Sequence, residues 1–438
     1  MQKMRFIFSF VLFALSCNLW AQPRTMSLHD CLAYARRHAF ANRSGHLAVE
    51  LARTDKRIQA SAMLPTMGFS AGGDLNFGRG VDPETNTYDT KHTFHNGYSL
   101  AMQLPLFDGM VSLNTYRAAR MSELMQQKAA ENEADRISLA VVRAYYNILY
   151  HSALAGQMES LLASDRQHLA ATERRAVLGS KSEADVNEMK ALVAGDEYEL
   201  LNQQNLRHKA VLELKAQMGM PLGENFLVDD TIRMEARPCS ADVPAPLHPR
   251  IMQAEYNLRR SRYLLRAAYG NFMPKLSLNG GLSTSYFKVL GNENKAPDFA
   301  SQWRHNMGQY VGFSLSVPLF DSGANILRLK RAKLAIRQQQ VELERTRYEI
   351  ERERNEAWLD VNAAESEWRA AKARVEAEEV ANRAIRRKYE LGGASVLDLY
   401  TGNSKLATAR AALVGKQIQT IINRIVYEYY LGVPLFRE

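Results

Sequence analysis

The sequence predicts an internally duplicated, mixed α/β membrane protein in which four amphipathic strands interrupt very long coiled-coil helices. Three observations carry this reading. Leu104-Pro105-Leu106-Phe107-Asp108-Gly109 returns as Val317-Pro318-Leu319-Phe320-Asp321-Ser322, a shift of 213 residues. The same shift takes Leu178-Gly179 onto Leu391-Gly392, Asp185 onto Asp398, and Gly219-Met220-Pro221-Leu222 onto Gly432-Val433-Pro434-Leu435 without net insertion. Two intervals without proline are far longer than globular helices, and four segments alternate apolar with small or polar residues. A repeat of roughly 200 residues is too long for a solenoid unit and suits a duplicated half-molecule.

The N-terminus carries Lys3 and Arg5, an apolar run from Phe6 to Leu15, and Trp20-Ala21-Gln22, the order of a secretory signal with removal expected after Ala21. A lipoprotein signal ending at Cys17 fits less well, because leucine stands one place too late in Ala14-Leu15-Ser16-Cys17. The expected division is therefore a signal peptide over 1–21, a first repeat over 22–245 and a second over 246–438. Cys31 and Cys239, the two cysteines left after export, could pair but form no disulfide framework.

Each repeat reads as helix, strand, loop, strand, very long helix, sharp turn and long helix. The first helix is expected from about Ser27 to Met63, ended by Pro65. In the strand that follows, Met67, Phe69, Ala71, Leu75 and Phe77 share one face and Ser70, Gly72, Asp74 and Asn76 the other. A polar loop over about 79–96 precedes a strand with Tyr98, Leu100, Met102 and Leu104 opposite Ser99, Ala101 and Gln103. In the second repeat Leu276, Leu278 and Leu282 oppose Ser277, Asn279 and Ser283, and Val311, Phe313, Leu315 and Val317 oppose Gly312, Ser314 and Ser316. Strands of about ten residues with an outward apolar face, an inward polar face and aromatic rims suit a transmembrane barrel. Phe69, Phe77, Tyr98, Phe107, Tyr286 and Phe320 are the candidate rims. Hairpins packed on a soluble core are the competing reading, weakened by the export signal and the uncharged apolar faces.

From Gly109 to Leu178 the only interior glycine is Gly156 and there is no proline, an interval of roughly 100 Å if helical. Asn325 to Leu391 contains neither residue. Ala130, Ala134, Ile137, Val141, Ala144 and Ile148 step as a heptad seam, while Ala363, Ala370, Ala377 and Ala384, and Ala357, Ala364 and Ala371, step by seven. Tyr145 and Trp358, equivalent under the repeat, are expected to fill helix packing. A periplasmic coiled-coil scaffold is the rival from another class, but it has no use for strands at matched points. Four strands cannot close a barrel in lipid, so closure requires several copies in a ring.

The signal peptide, the duplicated order of elements, the junctions at 105–109 and 318–323, and the Leu-Gly turns followed by Asp together resemble the TolC-like outer-membrane efflux proteins. That resemblance implies a homotrimer: a 12-stranded transmembrane β-barrel, four strands per chain, continued by a long periplasmic α-helical barrel. It also implies a periplasmic adaptor (membrane fusion protein), an inner-membrane pump, and location in the cell outer membrane of a Gram-negative type envelope, with no cofactor and no chemistry in the conduit. The expected cargo is small toxic molecules, with a type I protein secretion duct as the alternative.

On this resemblance the turns Leu178-Gly179-Ser180-Lys181 and Leu391-Gly392-Gly393-Ala394 dock the adaptor, and Asp185 and Asp398, helped by Glu188 and Thr401, form the periplasmic aperture. Thr401 stands where a second aperture Asp is often found, and Ala394 where a latch arginine sometimes occurs. Pro105, Phe107, Asp108 and Gly109, with Pro318, Phe320, Asp321 and Gly323, mark the barrel–helix junctions. On local grounds alone, glycine serves helix ends and a first-turn Asp opposes the helix dipole.

The formal charge of +9 falls by the two charges of Lys3 and Arg5 on export, and the remainder is interleaved with Glu, as over Arg328 to Arg354, so it reads as a solvated face. Without a recognition motif, nucleic acid is not an expected partner. No nucleophile motif, phosphate-cradling loop or paired-cysteine site marks an enzyme. His92-x-x-His95, the nearest pattern to a metal pair, falls in the expected outer loop.

Overall fold

In order along the chain, β1 (Arg24–Met26) leads into α1 (Leu28–His38), α2 (Phe40–Ser61), β2 (Thr66–Val81), β3 (Tyr88–Phe107), α3 (Val111–Val177) and α4 (Glu183–Met218). The second half runs through β4 (Phe226–Val228), α5 (Pro249–Gly270), β5 (Lys275–Val289), α6 (Phe299–His305), β6 (Gly308–Ser316), α7 (Ala324–Glu390) and α8 (Val396–Tyr430). The structure, a computed structural model, describes residues 24–81, 86–229, 248–290, 297–433 and 435. The expected signal peptide, Cys17, Cys239 with its pairing to Cys31, and Pro434 lie outside the described residues. Among the described residues no helix is long and apolar enough to cross a membrane.

The chain divides into two units. One holds residues up to Leu47, Ala129–Arg250 and those from Arg347 onward; the other holds Ala48–Lys128 and Ile251–Thr346. The second unit contains a four-stranded antiparallel sheet in the order β2-β3-β5-β6, so β2 and β6 are its free edges. The register sorts the side chains as alternation predicts. Leu104, Leu278 and Phe313 form one cross-strand row, while Ser70, Ser99 and Ser283 form a row on the other face, with the Ser70 and Ser99 hydroxyls 2.7 Å apart.

Four expectations change here. Three strands have 16, 20 and 15 residues rather than about ten, while β6 has 9. The expected loop over 79–96 is mostly strand: pairing continues from Gly73↔Asn96 to Val81↔Tyr88, because polar side chains are tolerated on a ladder held by its backbone. β6 stops at Ser316, before Val317 and Pro318, where a residue without an N–H follows. The connection from β5 to β6 carries α6, whose Gln302 donates to the Phe287 carbonyl at 2.9 Å and accepts from its N–H at 3.0 Å. Phe299 and Trp303 of this helix pack against Tyr98 on the apolar face, Trp303 at 4.8 Å between ring centroids.

In the first unit, α1, the middle of α3, α4 and α8 surround one core that includes Cys31, Val141, Ile148, Leu214, Met218 and Ile418, beside the parallel pair β1 and β4. The helix expected over Ser27 to Met63 is two helices. Ala39 turns extended at φ −56° and ψ 132°, and Asn42 Nδ2 donates to the Ala35 carbonyl at 3.0 Å, beside the Ala39 N–H, and reaches the Arg36 carbonyl at 3.5 Å, so its amide covers the end of α1. The seam expected over Ala130 to Ile148 faces this core, with Ile137, Val141, Ala144 and Ile148 buried. Ala357 and Ala364 are buried as well, whereas Ala363, Ala370, Ala377 and Ala384 lie exposed along α7. Tyr145 is buried and donates to the Asp229 carbonyl at 3.0 Å, but Trp358 is 52% exposed. The repeat thus preserves the place of an aromatic residue without preserving its surroundings.

Candidate functional site

Both long helices, α3 and α7, end in the same way. Gly179 adopts φ 73°; its N–H donates to the Ala176 carbonyl at 2.9 Å, and the Ser180 N–H donates to the Arg175 carbonyl at 2.9 Å. Gly392 adopts φ 78°, with the Gly392 and Gly393 N–H groups donating to the Tyr389 and Lys388 carbonyls at 3.1 and 2.8 Å. This left-handed closure satisfies the last carbonyls of each helix. It leaves Leu178 81% and Leu391 80% exposed at matched positions.

The return helices begin on reciprocal caps. Asp185 Oδ2 accepts from the Ser182 N–H at 2.9 Å and from its hydroxyl at 2.9 Å, and the Asp185 N–H donates to Ser182 Oγ at 3.1 Å. Ser395 and Asp398 repeat the arrangement at 2.9, 2.7 and 3.1 Å. The serine and the carboxylate three residues later satisfy each other's orphan donors. The Ser182 N–H and then its hydroxyl hold the Asp185 carboxyl below the usual range; for Asp398 the Ser395 hydroxyl acts first and its N–H second. Lys181 Nζ stands 3.9 Å from Asp185 Oδ1. Glu188 is exposed, and the Thr401 hydroxyl donates to the Leu397 carbonyl at 2.7 Å.

The two turns belong to one end of the first unit. Met189, Tyr389, Val396 and Leu399 form a core between them, with Leu169, Leu192 and Ala394 packed against it. Lys181 Nζ lies 5.6 Å from the centroid of the Tyr389 ring, and the Tyr389 and Thr172 hydroxyls are 3.0 Å apart. Asp185 and Asp398 are brought to the same end, each held within its own turn.

The junction residues lie in the second unit. Asp108 Oδ2 accepts from the Ser112 N–H at 2.7 Å and from the Ser112 hydroxyl, and Asp321 Oδ2 accepts from the Asn325 N–H at 2.7 Å. Each carboxylate caps the long helix that follows. Gly109 and Met110 are both left-handed, at φ 72° and 63°, as are Ser322 and Gly323 at 57° and 79°. Pro105 and Phe107 lie within β3 at a register shift, whereas Pro318 and Phe320 follow β6.

His92 and His95 are not in a loop. They pair with Phe77 and Asp74 along β3, and three residues apart on a strand they face opposite ways, so they cannot hold one ion. Sequence reading missed a buried polar layer that joins Asp165, Asp196, Asn382 and Asn403. Its signal was available: the 4-3 stepping that reaches Ile148 continues through His151, Ala155, Met158 and Leu162 to Asp165, an ionisable residue at a seam position.

The family model described as outer membrane efflux protein matches residues 32–220 and 247–431. The alkaline protease secretion protein AprF of Pseudomonas aeruginosa is 22% identical over 398 residues, covering 88% of this chain and 80% of that protein. The outer membrane protein TolC of Escherichia coli strain K12 is 19% identical over 386 residues, covering 85% and 75%. Among solved structures, a crystal structure of CusC superposes with a TM-score of 0.81 at 19% identity, covering 95% of this chain and 96% of that one. CusC thus shares the fold described above.

Proposed function

The chain belongs to the outer membrane efflux protein family, and from that premise we propose that it works as a homotrimeric conduit for small toxic molecules, coupled to a periplasmic adaptor and an inner-membrane pump. As a member of the family it is an outer-membrane efflux channel and not an enzyme. Energy for export then comes from the pump, and the channel conducts passively.

The observation that carries the trimer is the sheet with free edges at β2 and β6. Unpaired backbone groups are not tolerated in lipid, so the edge of one protomer pairs with the edge of the next, and three copies give twelve strands. The exposed alanine row Ala363, Ala370, Ala377 and Ala384 supports the same assembly, since small side chains let helices of neighbouring protomers approach. The two halves of the family match, 32–220 and 247–431, support a division into two structural repeats, for which we keep the bounds 22–245 and 246–438 behind a signal peptide over 1–21.

In this reading Leu178, Gly179, Ser180, Lys181 and Leu391, Gly392, Gly393, Ala394 present the apolar tips to the adaptor. Asp185, Glu188, Asp398 and Thr401 become threefold rings at the periplasmic aperture. Each Asp uses Oδ2 in its cap; Asp398 leaves Oδ1 for the lumen, while Oδ1 of Asp185 faces Lys181 Nζ at 3.9 Å. Asp108, Gly109, Asp321 and Gly323, with Pro105, Phe107, Pro318 and Phe320, turn the chain from barrel strand to helix.

Reconstituted full-length protein should run as a heat-modifiable trimer and show a low resting conductance that rises in Asp398→Ala. A soluble monomer would overturn the channel assembly, and unchanged conductance and ion selectivity would remove Asp398 from the aperture. Gly392→Trp should abolish export while trimers persist in the outer membrane. The likeness to a protease secretion protein makes cargo a separate question. Deleting the gene should sensitise cells to dyes and detergents with an unchanged set of secreted proteins; the opposite pattern would assign the channel to protein secretion.

A further inference from the structure

Near the paired turns, α3, α4, α7 and α8 each place a polar residue at a buried position: Asp165, Asp196, Asn382 and Asn403. Asp165 is 3% exposed and Asp196 8%. Asn403 Nδ2 donates to Asp165 Oδ1 at 3.1 Å. Asn403 Oδ1 accepts from Asn382 Nδ2 at 3.0 Å and from Arg386 Nε and Nη2 at 3.3 and 3.2 Å. Gly402 keeps this contact tight, because a Cβ there would stand 3.0 Å from Ile385 Cδ1.

The asparagines and the arginine satisfy one another and one oxygen of Asp165. They leave Asp196 Oδ2 buried without a protein donor. The Asp165 and Asp196 carboxyls lie within hydrogen-bonding reach of each other. An ionised carboxylate only accepts, so two of them facing each other both find partners only when one carries a proton. The surrounding charges do not replace that proton. Arg386 on α7 directs its donors to Asn403, and the Arg166 guanidinium is paired with Glu197 at 2.6 Å. His168, one turn along α3, is pushed toward its neutral form by burial and by Arg386.

We propose that Asp165 and Asp196 are a proton-binding site: one proton shared between them holds α3 against α4, and its release to water loosens that seam. Loss of the proton breaks the O–H bond of one carboxyl and leaves two carboxylates facing each other in a dry contact, which is unfavourable until water enters. Burial first, then the hydrogen bond and charge of Asp196, push Asp165 up to about 7, against the smaller opposing pull of Arg386 and Asn403. Burial also raises Asp196. The site lies within one protomer and does not rest on the conduit reading. A polar layer that only fixes helix register would have the same contacts without the titration.

Because the pair binds its proton more tightly when packed, the seam is firmest at acid pH and weakens as pH rises toward about 7. Hydrogen exchange of the full-length protein in detergent, corrected for intrinsic rates, tests this. Protection over 160–172 and 190–203 should fall about tenfold per pH unit between roughly pH 5 and 7. In Asp196→Asn, whose amide supplies the missing donor, and in Asp165→Asn, the slope should vanish. A flat wild-type profile, or a slope that persists in both variants, would overturn the proposal. Infrared titration reads the proton itself and needs only the wild type: a carboxylic acid carbonyl band should persist to neutral pH, and its absence at neutral pH would also overturn the site. Both variants should lose that band while keeping the contribution of Asp135, which burial raises to about 6.

Discussion

The two junctions between strand and long helix have the same backbone and different surroundings. At the first, Gly109 and Met110 are left-handed; at the second, Ser322 and Gly323 are, so glycine has changed places within an unchanged turn. A Cβ on Gly109 would lie 2.2 Å from the Gly270 carbonyl oxygen, while one on Gly323 would meet nothing within 4 Å. Ser322, the counterpart of Gly109, carries a side chain in the same conformation. Conformation alone therefore does not demand glycine at that place. What demands it is α5 ending directly against the first junction. At the tips, by contrast, Gly179 and Gly392 match in conformation and both face open space. Duplication has kept the tip glycines and caps equivalent and let the junctions specialise.

The largest expected effect breaks the junction comparison directly. Gly109→Ala forces backbone apart and should cost about 3 kcal/mol or more, seen as loss of folded protein, while Gly323→Ala should cost only about 1 kcal/mol of conformational strain. Equal costs would mean that conformation decides both positions. Tyr389→Phe removes a buried hydrogen bond to Thr172 and should lower stability by about 1 kcal/mol in thermal unfolding. The 213-residue shift maps Tyr389 onto Ala176, so this contact has no copy in the first repeat and no equivalent substitution there.

Ser182→Ala and Ser395→Ala should each cost about 1 kcal/mol, and equally, because the two caps share their geometry. Unequal losses would show that the tips have diverged as the junctions have. The smallest effect is in the pH profile. Asp185 and Asp398 titrate lower when folded, so their cap contribution is present above the ordinary carboxylate range and is lost as pH falls through the folded values. Thermal scans in acid should show this slope shrink by similar small amounts in Asp185→Asn and Asp398→Asn.

Periodicity and the repeat made the long helices, the four strands and both turns legible, because each follows from local spacing. The caps could be read too, as Ser182 with Asp185 and Ser395 with Asp398. What escaped depends on partners distant in the chain. The outer ends of β2 and β3 read as loop because Arg79, Thr90, His92, His95 and Asn96 are polar, yet pairing satisfies their backbone regardless of side chain. The break at Ala39 has no proline or glycine to announce it. It is stabilised by Asn42 reaching back, a contact visible only in three dimensions. Trp358 and Tyr145 show the limit of the repeat itself, which transfers position but not burial. The polar layer around Asp165 was within reach of heptad counting, but its pairing with Asp196, Asn382 and Asn403 required the neighbouring helices.

The free edges of β2 and β6 also bear on biogenesis. A lone protomer would carry two rows of unpaired amides and carbonyls into the hydrocarbon layer, each group costing several kcal/mol. On the trimer proposed above, copies of the chain meet before or while their strands insert. The rate at which finished channels accumulate then rises more steeply than the supply of exported chain. Cells making too little of the protein would hold uninserted subunits rather than small or leaky pores, so the open sheet limits membrane damage during synthesis.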